Sequence, residues 1–111
     1  MSMTAPVANQ AFVQGTQLGL SFTLASARPS NSTTVFVLTK GTSVIQDISN
    51  AVSCTTDSAA LTYTCTWTVP QSVNIGSGYT ILASITNTAW MDTTNAFTIT
   101  CTALFLDWRK G

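Results

Sequence analysis

Apolar and polar residues alternate along several short stretches of this chain, and residues that favour turns bound each stretch. Leu18, Leu20, Phe22 and Leu24 alternate with Gly19, Ser21 and Thr23. Leu61, Tyr63, Cys65, Trp67 and Val69 alternate with Thr62, Thr64, Thr66 and Thr68, the cleanest run in the chain. A period of two places the two sets on opposite faces of a strand, one buried and one wet. Further strands are expected over 34–39, over 44–48 with Val44, Gln46 and Ile48 sharing a face, and over 51–55, 79–86 and 95–101. Ala25–Ser32, Lys40-Gly41-Thr42 and Thr56-Asp57-Ser58 read as loops or turns, and Pro70 ends the long strand. A polar loop carrying Trp90 and Met91 is expected before the last strand. Residues 1–10 read as an extended lead-in, where Pro6 opposes helix. No window supports a helix, and nothing repeats at a fixed period. About seven strands, with turn signals roughly every eight to twelve residues, predict an all-β sandwich over residues 11–101. Residues 102–111 form an extension.

Composition narrows what such a domain does. The 111 residues suffice for one domain. Charged residues are 7% of the chain, against roughly 25% in an average soluble protein. Ser and Thr, roughly three residues in ten, supply the polar surface instead. The formal net charge is zero. The acids are Asp47, Asp57, Asp92 and Asp107, and the bases are Arg28, Lys40, Arg109 and Lys110. Nucleic acid and anionic lipid are therefore not expected partners, because no basic stripe is present. Histidine is absent, which removes the usual general base, the commonest metal ligand and the usual pH switch. The expectation is no enzyme, no metal and no cofactor.

Val69-Pro70, five residues, then Gly76-Ser-Gly78-Tyr79 and an alternating strand to Ile85 resemble a corner of immunoglobulin-like and fibronectin-like sandwiches. There the tyrosine hydroxyl bonds back to the backbone of the preceding corner. The fold expected is thus an immunoglobulin/fibronectin-like antiparallel β-sandwich. The order of motifs is also informative: Val35-Phe-Val-Leu38 with its Lys40-Gly41 turn, Trp67-Thr-Val-Pro70, Gly78-Tyr79 and Asn95-Ala-Phe-Thr-Ile-Thr100. It resembles the N-terminal domain of the fungal Kre/Knh-like family, Ser/Thr-rich and GPI-anchored cell-wall proteins. The resemblance implies a fungal surface setting and a link to β-glucan assembly, and carries over no catalytic residue. It departs at Leu20-Ser-Phe-Thr-Leu24, where family members often have Trp, and finds no counterpart for Cys101–Gly111.

Cys54 and Cys65 flank a turn and are expected to bridge a hairpin, a staple worth about 3 kcal/mol in the chain-entropy account; the alternative is two buried thiols. Cys101 is left as a buried thiol or an inter-chain bridge, with no histidine to activate it. Two of the scattered Asp could meet as a glycosidase pair, but turn roles are expected. Trp67 is expected in the core. Trp90 either stacks on a sugar or folds over the end of the core. Leu104, Phe105, Leu106 and Trp108 form either a further strand or a dimer edge. Asn31-Ser32-Thr33 is an N-glycosylation sequon in a predicted loop.

The function expected is a non-catalytic, secreted or wall-associated module, with cell-wall polysaccharide or glycoprotein as partner. The alternative is a free-standing mushroom lectin or immunomodulatory protein acting as a homodimer. The N-terminus lacks the apolar core of a signal peptide, and no apolar run is long enough to span a membrane. A signal removed from a secreted precursor is the expectation.

Overall fold

The two alternating runs become the paired central strands of one sheet. The computed structural model describes residues 1–57 and 61–101. Among them are ten strands: β1 (Ser2–Ala5), β2 (Ala11–Val13), β3 (Gln17–Thr23), β4 (Thr34–Lys40), β5 (Ser43–Asp47), β6 (Val52–Thr56), β7 (Thr62–Thr68), β8 (Gly76–Ile85), β9 (Met91–Thr93) and β10 (Phe97–Thr100). One turn of 3-10 helix, Ser49–Ala51, precedes β6. The first sheet has the order β1-β3-β7-β6; the second has β2-β10-β8-β4-β5, with β9 also on β8.

The strand count exceeds the expected seven for identifiable reasons. β1 lies inside the expected lead-in and pairs with β3, and β2, between the lead-in and the first expected strand, pairs with β10. β9 lies inside the expected Trp90 loop and pairs with β8. β9 and β10 are two halves of one strand beside β8, separated at Thr94. Thr94 is buried there. Its N–H donates to the Ile81 carbonyl and its Oγ1 accepts the Ile81 N–H, both at 3.0 Å. The hydroxyl thus stands in for a ladder carbonyl, and the kink leaves no buried donor unpaired at Ile81. The pairing is not wholly antiparallel either, since β2 runs parallel to β10.

The strand order is that of an immunoglobulin sandwich: A-B-E-D in one sheet, and G-F-C with an added C′ strand in the other. The inward residues of both sheets form one core. Trp67, Phe22, Phe97, Leu18, Leu20, Leu38 and Ile81 are among its fully buried side chains. Phe22 and Tyr63 stack at 4.7 Å, and Arg28 lies over the Tyr63 ring at 5.6 Å. Trp67 is in the core as expected, but its indole Nε1 has no hydrogen-bond partner. An unmade bond of that kind costs about 1–3 kcal/mol, which burial of the ring must exceed.

The disulfide Cys54–Cys65 is present. It joins directly opposed residues of β6 and β7, within one sheet. In antibody domains the bridge instead crosses between sheets, and its second cysteine stands two residues after the corner tyrosine. That position here is Ile81, fully buried. Among the described residues the two sheets are held mainly by apolar packing, without a covalent link between them.

Candidate functional site

The described surface carries no pocket, so the two outward sheet faces and the loop ends are where contact chemistry can lie. On the first sheet, the even-numbered residues of β7, Thr62 to Thr68, all point outward and are exposed. The register sets Thr23 beside Thr62, Ser21 beside Thr64, Gly19 beside Thr66 and Gln17 beside Thr68. On the other flank, Ser53 stands beside Thr66 and Thr55 beside Thr64. Thr4 on β1 extends the row through its hydroxyl contact with Ser21 at 2.6 Å.

The result is a hydroxyl-covered plane; among the described residues the ionisable side chain beside it is Asp57, exposed at the hairpin end next to Thr62. Rows repeat about every 6–7 Å along the strands, and strands lie about 4.8 Å apart. Among the described residues, the hydroxyls of Thr62, Thr64, Thr66, Thr68 and Ser53 have no partner within the chain. Each can both donate and accept. The sequence showed the Thr side of β7; it did not show that β3 and β6 would lay further hydroxyls beside it, because that depends on long-range register.

The outward face of the second sheet is different. Val37, Leu82 and Thr93 form one cross-strand row, and Val35, Ser84 and Met91 form the next. Met91 is 59% exposed and Val44, at the β5 edge, 70%. The signal was in the sequence: Val35-Phe-Val-Leu38 is apolar in both phases of the alternation, so one phase had to face outward. β5 departs from the expected alternation. A bulge sets Gln46 opposite Leu38 and Val44 opposite Thr39, so Val44 and Gln46 do not share a face. Only Ile48 of that trio is buried.

The remaining predicted residues separate in space. Tyr79 forms the expected corner: its hydroxyl donates to the Asn74 carbonyl at 2.6 Å. Lys40 Nζ lies over its ring at 5.0 Å, in space that a Cβ on Gly76 would contest at 2.7 Å. Trp90 is half-buried and packs against the core. Asn31 is exposed in its turn, with its backbone carbonyl accepting from Asn87 Nδ2 at 3.1 Å. Cys101 is a free, half-exposed cysteine rather than a buried one.

The described acids serve the backbone. Asp57 Oδ1 accepts from Leu61 and Thr62 N–H. Asp92 Oδ2 accepts from Met3 N–H at 2.8 Å, tying β1 of one sheet to β9 of the other. Asp47 Oδ1 accepts from Ser49 N–H at 2.8 Å. The Ser49 hydroxyl and then its N–H hold the Asp47 carboxyl below its ordinary value. Among the described residues no three of His, Cys, Asp or Glu gather as a metal site, and no helix is long and apolar enough to cross a membrane. Leu104, Phe105, Leu106, Asp107 and Trp108 lie outside the described residues. No family model matches the chain, and no curated protein matches it.

Proposed function

We propose that this protein is a non-catalytic module of the cell surface or wall that holds neutral polysaccharide, β-glucan foremost, against the hydroxyl plane of its first sheet. The observation that carries this reading is the set of unpartnered Thr and Ser hydroxyls in register on β7 and β6. A polymer of hydroxyls matches a plane of hydroxyls, since every hydroxyl on either side can donate and accept. A shallow plane suits an extended chain and offers little to a small molecule, which needs a concave site. The resemblance of the strand motifs to the Kre/Knh-like domain supports the same setting. The disulfide is in keeping with an oxidising compartment.

Co-sedimentation with insoluble β-glucan, chitin and cellulose tests the reading. Depletion from solution by β-glucan is expected, weakened at least tenfold by Thr64→Lys with Thr66→Lys and unchanged by Trp90→Ala. Failure to bind any of the three polymers would falsify it.

A further inference from the structure

We propose that the outward face of the second sheet is the surface through which two copies of this chain pair. Its middle is apolar: Val35 and Val37 on β4 and Leu82 on β8 lie on the outward side of their strands and are only half-buried. Met91 and Val44 flank them and are more than half exposed. Around them stand Thr39, Thr80 and other hydroxyls, giving an apolar centre with a polar rim, the anatomy of a protein interface.

The size also fits. At about 3.3 Å per residue and about 4.8 Å between strands, β2, the lane from β9 through β10, β8, β4 and β5 make a face on the order of 550 Å². Two copies would cover on the order of 1,100 Å² between them, just above the roughly 1,000 Å² that a specific interface needs. Asp47, on the edge strand, is the one ionisable side chain pointing outward on this face among the described residues. Pairing therefore desolvates little charge, and copies of zero net charge do not repel one another. A foreign partner would find one charge, Asp47 at the edge, to steer it or set its register. A second copy needs only that the patch complement itself, as a two-fold contact requires, and an open, apolar sheet face packs on its like as sheets do in a sandwich.

Sedimentation velocity on the full chain over a range of concentrations tests this. The unaltered chain is expected to sediment at twice its 11.7 kDa mass. Val37→Lys and Met91→Lys are each expected to weaken the dimer at least tenfold; Met91 is exposed enough that its variant keeps the fold, checked by circular dichroism. Thr66→Lys, on the opposite face, is expected to leave the dimer intact, as is Phe105→Lys. A monomer at every concentration overturns the proposal. So does a dimer that survives both face variants but is lost with Phe105→Lys, which would assign the contact to the C-terminal extension.

Discussion

The two sheets share one core and the same strand alternation, yet they turn opposite surfaces to the solvent. The first is faced with Thr and Ser; the second has Val and Leu at its centre and exposed Met91 and Val44 beside them. Burial explains the inward residues of both sheets equally well, so it cannot explain this difference. What differs is what each outer face can meet. A hydroxyl face is stable in water and can exchange that water for a polar polymer. A face with an apolar centre leaves unburied area that a second apolar surface can cover, at roughly 25 cal/mol per Å².

That comparison can be broken at β7, where core and outer face alternate. Trp67→Ala should cost about 3–5 kcal/mol in urea unfolding, as a buried aromatic truncation does. Thr66→Ala, one residue away, should stay within about 0.5 kcal/mol. An equal loss at both positions would make the hydroxyl plane part of the scaffold and leave no reason to treat it as a free contact surface. Replacing Cys54 and Cys65 together by Ser should cost about 3 kcal/mol, from the short loop they close. The loss should be local to the first sheet: amide exchange should quicken in β6 well before β4 or β8, and uniform quickening would show that the two sheets do not behave separately.

The smallest effect is expected at the edge of the second sheet. Asp47 has a lowered folded-state pKa, so its contribution is complete above the ordinary value and is lost as pH falls through and below it. Asp47→Asn should therefore lower stability slightly near neutrality and flatten its fall as pH drops through and below the ordinary Asp value, where variant and parent converge. An unchanged acid limb would mean that the Ser49 contacts do not hold in solution.

What the sequence disclosed follows from burial. β3 and β7 were legible because each has one face wholly buried and one wet, and the pattern records both. The corner at Tyr79 was legible because a short motif with a defined hydrogen bond specifies it. The cysteine pair was legible because the hairpin sets its two residues opposite one another. β1 and β9 were not legible: they have four and three residues, bury little, and owe their existence to partners distant in the chain. The β5 bulge escaped notice because one extra residue shifts register without changing composition. The hydroxyl plane was half legible, since one strand showed its Thr row but not the neighbours that widen it.

The parallel pairing of β2 with β10 has a consequence for a chain held at one end. Ala11 to Val13 lie beside Thr98 to Thr100, and backbone hydrogen bonds from Asn9 N to Ala96 O, from Thr98 N to Gln10 O and from Gln14 N to Thr100 O extend the contact. Because the two strands run the same way, the chain enters β2 at one end of the sandwich and leaves β10 at the other. Tension between the chain's ends therefore loads these bonds in shear, all at once, where a hairpin at the same place would unzip one rung at a time. The parallel β2–β10 pairing therefore resists a pull along its strands more than a hairpin of the same length would.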